Sequence, residues 1–377
     1  MISNRAGQKG TLRHMSDMKQ KRAIVLLNLG GPDTLNSVEP FLKNFFMDPA
    51  IIGAPLPIRW MVSRLIAKRR GPIAREIYAH LGGGSPILKN TRDQAAGLEA
   101  ELTDLGETKV FVAMRYWHPM SDEVAQAVKE FGPDEVILLP LYPQFSTTTS
   151  GSSIKEWHRA AGATGLDVKT RTVCCYPAGG AFIPALTRWV LESIETAKAH
   201  GPVRVLFSAH GLPENIVKGG DPYQWQVEQT AAAVVEKLNI PDLDWIVCYQ
   251  SRVGPLKWIG PDTEGEIERA AKDGASMVVV PLAFVSEHSE TLVELDIEYR
   301  ELAEDHGAVG YTRTPTVGAE PDFISGLAVL VRNAVRADHT FGPEGGVRLC
   351  PANLGRCACA EAAKPEELAT DSQMAAE

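Results

Sequence analysis

No apolar run in the chain approaches the roughly 20 residues needed to cross a bilayer, so no membrane-spanning helix is expected. Nor is there an excess of positive charge. The 38 Lys and Arg face 47 Asp and Glu, a formal net charge of −9, which argues against a general nucleic-acid binder. No Walker phosphate loop is present, and no Gly-x-Gly-x-x-Gly follows the first apolar run, so nothing supports a nucleotide cofactor. Gly30-Gly31-Pro32 and Gly82-Gly83-Gly84 read as turns. Cysteine is scarce: six residues in 377, too few and too unevenly placed for a disulfide scaffold. The first 22 residues lack the apolar core of a secretory signal and read as a disordered leader on a cytoplasmic protein. Residues 361–377, polar and Ala-rich, read as a disordered tail.

What the chain does have is a set of short, almost wholly apolar runs alternating with helical patterns, the signature of parallel βαβ units covered by helices on both faces. The clearest are AIVLLNL (23–29), KVFVAMR (109–115), EVILLPL (135–141), VRVLFSA (203–209), DWIVCYQ (244–250) and SMVVVPL (276–282). They fall into two sets of three. AIVLLNLGGP resembles VRVLFSAHGLP, and EVILLPLYPQFS resembles SMVVVPLAFVSE. An α/β fold of two similar halves follows, residues 23–190 and 191–320, with a segment 321–360 that carries a helix and three cysteines. A ligand cleft is expected between the halves, outside the carboxyl ends of the strands. Residues 45–72 fit neither repeat. They mix bulky apolar groups with Pro and Gly and end near Lys68-Arg69-Arg70. They read either as a core helix with a basic end or as an apolar lip over the cleft, able to touch a membrane or a flat apolar ligand.

Two places carry the chemistry. His210 directly follows a buried run and precedes a Gly-Leu-Pro turn, which puts it at the carboxyl end of a strand. A lone histidine there is more often structural than catalytic; its place at the cleft raises its interest. At the matching place after the next repeated strand comes VSEHSETLVELDIEYR, a helix with Ser286 or Ser289 as its cap. Glu287, Glu290, Glu294 and Glu298 form one stripe at about 100° per residue. A solvated helix face is the bland reading. Leu292, Leu295 and Tyr299 on one flank and Val293 and Ile297 on the other favour a buried helix whose carboxylates line a watery channel. Crowded carboxylates there acquire raised pKa values and can hold protons or a hydrated cation. Imidazole and carboxylates suit ferrous iron and are the usual bases near neutral pH. Tyr78, Tyr116, Trp117, Tyr142, Phe145, Trp258 and Phe284 supply aromatic walls.

At these residues the sequence resembles the ferrochelatase family. The matching stretches are LNLGGPDTL (27–35), YAHLGGGSPI (78–87), MRYWHP (114–119), YPQFSTTTSGSS (142–153), SAHGLP (208–213), GDPY (220–223), VGPLKWIGP (253–261) and FVSEHSETLVELDIEY (284–299). The resemblance implies two Rossmann-like halves with a porphyrin between them, and an activity that inserts Fe2+ into protoporphyrin IX. Coproporphyrin as substrate, or a non-catalytic tetrapyrrole or metal carrier, are the alternatives. It implies His210 and Glu290 as the pair facing the macrocycle centre, with Glu287, His288, Glu294 and Glu298 along a proton or iron channel. Leu29, Tyr78, Tyr116, Tyr142, Trp258 and Phe284 match wall positions. Arg70, Arg115, Ser85 and Ser251 match the propionate edge, although Ile73 stands where some relatives place a lysine. Cys350, Cys357 and Cys359 resemble three ligands of a [2Fe-2S] cluster. The fourth ligand of animal relatives is Thr147 here, which leaves Cys174 and Cys175. Adjacent strand residues face opposite ways, so one of the two, Cys175 by preference, is expected to bind; a zinc site and free thiols compete with this reading. Peripheral contact with the inner membrane face through the lip is a further expectation, and a homodimer is compatible with the resemblance.

Overall fold

The structure, a computed structural model, describes residues 20–252 and 254–361. Of the segment read as a leader, Lys21 and Arg22 belong to the first strand, and residues 1–19 lie outside the described residues, as do 362–377 of the tail. The strands are β1 (Lys21–Asn28), β2 (Glu107–Met114), β3 (Glu135–Pro140), β4 (Lys169–Val173), β5 (Val203–His210), β6 (Asp244–Gln250), β7 (Ser276–Pro281), β8 (Tyr311–Arg313) and the short β9 (Phe341–Gly342). One sheet has the order β2-β1-β3-β4-β9 and the other β6-β5-β7-β8. Every pairing is parallel.

The first four strands and the second four thus repeat one order, as the paired apolar runs lead one to expect. In each sheet the chain leaves the second-position strand, β1 or β5, to one side and then crosses to the other. The crevice outside the carboxyl ends of β1 and β3, and of β5 and β7, is therefore the topological switch point where open α/β sheets bind ligands.

The inner faces of both sheets share one apolar core. Ile24, Leu26, Ile137 and Leu139 of the first sheet belong to the same buried cluster as Val205, Phe207, Val278 and Val280 of the second. The helix Ile183–Ala197, which a division at residue 190 would cut, contributes Leu186, Val190 and Ile194 to that core. The helix Pro321–Arg336 adds Phe323, Leu327 and Val331. The chain then returns to the first sheet, where Phe341 and Gly342 pair with Thr172 and Val173.

The helix Leu56–His80 covers most of the segment 45–72 and is not a core helix. Leu56, Ile58, Trp60, Met61 and Leu65 are between 49% and 60% exposed, whereas Ser63, Ala67, Gly71 and Tyr78 make its buried side. Among the described residues no helix is long and apolar enough to cross a membrane.

Candidate active site

His210 is the last residue of β5, and six of the seven strand residues before it are buried. Its Nδ1 stands 2.6 Å from the Gly211 carbonyl oxygen. A carbonyl only accepts, so Nδ1 carries the proton and donates, and in the neutral ring Nε2 presents a lone pair to the cleft. Gly211 keeps the corner tight: a Cβ there would meet the Gln250 carbonyl oxygen at 3.1 Å and the Trp258 ring at 3.2 Å.

The loop after β7 is held from the other half of the molecule. Gln94, on the helix Ile87–Glu101, donates to the carbonyls of Val285 (3.0 Å) and Gly318 (2.8 Å), and Asn90 donates to that of Glu287 (3.1 Å). His288 then repeats the arrangement of His210. Its Nδ1 faces the Ser286 carbonyl at 3.1 Å and its Nε2 faces Glu290 Oε2 at 3.6 Å. His210 Nε2 lies 3.8 Å from Glu290 Oε1. Glu290 therefore sits between two imidazoles. Burial pushes its carboxyl up, but His210 and His288, once protonated, outweigh burial and hold it at about 2. The Phe284 ring lies 4.6 Å from that of His288, centre to centre.

The expected α-helix with a serine cap is instead a π-helix, Glu290–Glu298, and Ser289 makes no side-chain cap. Thr291 Oγ accepts the His288 N–H at 3.0 Å in its place. The i→i+5 turn is rare and concentrates at functional sites. Behind Glu290, Glu294 accepts from Ser251 N–H (2.8 Å), Ser251 Oγ (2.5 Å), Gln250 (3.1 Å) and Tyr299 (3.0 Å). Ser251 adopts φ of +61°, a conformation that a non-glycine residue holds at a cost; here it turns both donors onto one carboxylate. Burial and the neighbouring Glu290 push the Glu294 carboxyl above its ordinary value. Glu298 is also raised, by burial and then by Glu264 and Glu301.

Glu287 does not join this row. Arg313 holds it at 2.6 Å and holds Asp296 at 2.7 Å. Burial opposes ionisation of Glu287, and Arg313 outweighs it. Gln250 was missed, although a readable signal existed: it ends an apolar strand and pairs directly with His210 across the β5–β6 ladder.

The first half reaches this site through Tyr78, which interacts with Ser289 and Glu290. Leu29 follows β1, and Tyr142 follows β3. Tyr78, 8% exposed, comes from the lip helix, and burial pushes its phenol up to about 12. Tyr116 donates to Asp48 at 2.7 Å. Arg115, matched to the propionates or the pocket edge, donates to Asp48 and Ser152, both at 2.8 Å. Asp48, on the approach to the lip helix, thus ties Arg115 and Tyr116 together, a role that its sequence context did not reveal. Ser85 lies on the turn after the lip helix, where its N–H donates to the Pro32 carbonyl. Arg70 is exposed. Trp258 Nε1 is buried without a hydrogen-bond partner among the described residues.

Away from the cleft five cysteines gather. Cys174 Sγ is 3.6 Å from Cys175 Sγ and 3.7 Å from Cys359 Sγ. Cys350 and Cys357 are hydrogen-bonded to each other; that bond lowers Cys357 well below an ordinary thiol and raises Cys350. β4 ends at Val173, so the alternation expected to separate Cys174 from Cys175 no longer applies, and both sulfurs turn into the same pocket. Cys248 is buried in the second sheet, in a different apolar cluster.

Two imidazoles flank a carboxylate of lowered pKa, with a second carboxyl of raised pKa behind it. Imidazole and carboxylate are donor types that suit a divalent cation and accept protons, although among the described residues no three His, Cys, Asp or Glu side chains are preset around a metal ion. At the switch point of a two-sheet α/β fold, this set defines a metal chelatase. The fold is shared with the solved structure of SirB from Bacillus subtilis with Fe3+, at a TM-score of 0.50 and 15% identity, covering 84% of this chain and 96% of that one. The Ferrochelatase family model matches residues 21–335. The ferrochelatases of Caulobacter vibrioides and Hyphomonas neptunium are 53% and 51% identical, over 92% and 91% of this chain and 99% and 96% of theirs. The chain belongs to the ferrochelatase family.

Proposed function

We propose that the enzyme inserts Fe2+ into protoporphyrin IX to give protohaem and two protons, the last step of haem biosynthesis, with His210 and Glu290 as the pair at the macrocycle centre. The approach of His210 Nε2 to Glu290 at 3.8 Å, inside an aromatic-walled crevice, supports this reading above all. A flat porphyrin hides its nitrogen lone pairs from an incoming cation, so the walls Leu29, Tyr78, Tyr116, Tyr142, Trp258 and Phe284 serve to hold it saddled, nearer the transition state. His210 takes the pyrrole protons on Nε2. Glu290, Glu294 and Glu298 pass them outward, the raised pKa values of Glu294 and Glu298 suiting them to take up a proton. Ferrous iron is substrate here, not a resident cofactor.

Protoporphyrin is favoured over coproporphyrin because Arg115 is already engaged with Asp48 and the lip is apolar. Two further propionates would be desolvated without matching cations, at a cost above about 1.4 kcal/mol, a tenfold effect. An anaerobic assay with ferrous iron and each porphyrin should give kcat/KM at least tenfold higher for protoporphyrin. Equal or reversed values would overturn the assignment.

The exposed lip side chains support peripheral contact of a cytoplasmic enzyme with the inner membrane face. The triple variant Leu56→Ser, Trp60→Ser, Met61→Ser should sediment with phospholipid vesicles at least tenfold less than the parent, since each buried apolar side chain contributes about 1.5 kcal/mol or more. Its activity on porphyrin in detergent should stay within a few-fold.

The cysteine pocket fits a [2Fe-2S] cluster in donor type and number. Among the described residues no group of three such side chains stands ready around a metal ion, yet Cys350, Cys357, Cys359 and one of the pair Cys174 and Cys175 supply the four thiolates such a cluster needs. When bound, the cluster supplies a one-electron centre. The residues that hold it tie the C-terminal segment to the end of β4.

A further inference from the structure

Gln226, on the helix Tyr223–Leu238, is fully buried, and its whole amide is in use. Its Oε1 accepts the Phe145 N–H at 2.7 Å. That bond fixes the orientation of the amide, because a backbone N–H can only donate. Nε2 is therefore turned the other way, and its two protons meet sulfur: Cys350 Sγ at 3.1 Å and Cys175 Sγ at 3.5 Å. A neutral thiol accepts hydrogen bonds weakly, whereas a metal-bound thiolate is a good acceptor. A buried amide spending both donors on sulfur makes chemical sense when those sulfurs carry negative charge.

We propose that Gln226 is a positioning residue for the iron–sulfur cluster: its amide donates to the ligand sulfurs of Cys175 and Cys350 and ties them to the loop 142–148 that borders the porphyrin cleft. This rests on the cluster reading given above. It selects Cys175 as the fourth ligand, with Cys174 as its neighbour. N–H···S bonds draw electron density from the thiolates and favour the reduced, more negative cluster, so they raise its reduction potential. The same amide reaches Phe145, three residues beyond Tyr142. The neighbouring Gln144 donates to Thr230 on the Gln226 helix at 2.9 Å. Cluster, amide and cleft loop form one hydrogen-bonded unit.

The test uses the full-length protein, purified without oxygen. Iron and acid-labile sulfide are counted, the dithionite-reduced form is examined by electron paramagnetic resonance, and the midpoint is titrated. Gln226→Met keeps the shape and removes both donors. Gln226→Glu keeps the acceptor for Phe145 and replaces the donors with charge, which covers the case in which the first variant fails to fold. Both should retain far-ultraviolet circular dichroism while their midpoints move negative by a tenfold or greater change in relative affinity for the reduced state, 59 mV for one electron. Cys174→Ser should keep the cluster and Cys175→Ser should lose it. Unchanged midpoints in both Gln226 variants, with full iron and sulfide, would overturn the role of Gln226 while leaving the cluster in place. A parent that holds zinc, or neither iron nor sulfide, would overturn both.

Discussion

His210→Ala should lower kcat for ferrous-iron insertion by about 10²- to 10⁴-fold, the range in which a positioned base contributes, and Glu290→Gln should do the same. The two act as a unit. The imidazole offers Nε2 because Gly211 holds the proton on Nδ1, and once the ring has taken a proton its charge holds the flanked carboxylate ionised. Either truncation removes the partner that sets the state of the other, so the double variant should be little worse than the poorer single one. Both side chains are partly exposed, 37% and 29%, so the losses should appear without unfolding. Porphyrin affinity, read by quenching of tryptophan fluorescence, should change only a few-fold, since the walls are intact. Parental kcat in both variants would remove the pair from the reaction.

Glu135→Ala should destabilise the fold by about 3–5 kcal/mol, the cost of breaking a buried ion pair by removing one partner. Glu135 begins β3 at the end of the sheet opposite the cleft, and its side chain is 8% exposed. Arg171 contacts it at 2.6 Å and Arg22, itself 1% exposed, at 3.5 Å. The register explains the cluster: Arg22 and Lys169 pair with Glu135 from either side. Without the carboxylate, Arg171 stays desolvated and loses its contact at 2.6 Å, and Arg22 loses a charged neighbour at 3.5 Å. Guanidinium denaturation followed by circular dichroism measures the loss. A midpoint within 0.5 kcal/mol of the parent would show that the ion cluster does not carry the strand ends.

The central strands were legible because β1, β3, β5 and β7 are buried on both faces and read as unbroken apolar runs. β8 and β9 were not read as strands, and β4 only as a strand running into Cys174 and Cys175. They are short and near the sheet edges, and their Lys169, Arg171 and Arg313 break the pattern. His210 and Glu290 were legible for a related reason, since each follows a repeated strand. The π-helix was not, because Glu290, Glu294 and Glu298 at four-residue spacing fit an α-helix equally well, and only tertiary packing selects the wider turn. Partners distant in sequence were also hidden. Nothing near Glu287 announces Arg313, and nothing near Arg115 announces Asp48. The alternation argument for Cys174 and Cys175 assumed a strand that stops one residue earlier.

The apolar core common to both sheets has a mechanical consequence. Residues of β1 and β3 pack in the same cluster as residues of β5 and β7, and Phe323 and Leu327 are bedded in it as well. Swinging the two halves apart like the shells of a clam would pull all of these side chains into water. A bulky product must leave past parts that yield without tearing this seam. The half-exposed helix Leu56–His80 and the loosely wound turn Glu290–Glu298 border the crevice and are such parts. Opening of the crevice is therefore expected at its rim and not by parting of the two halves.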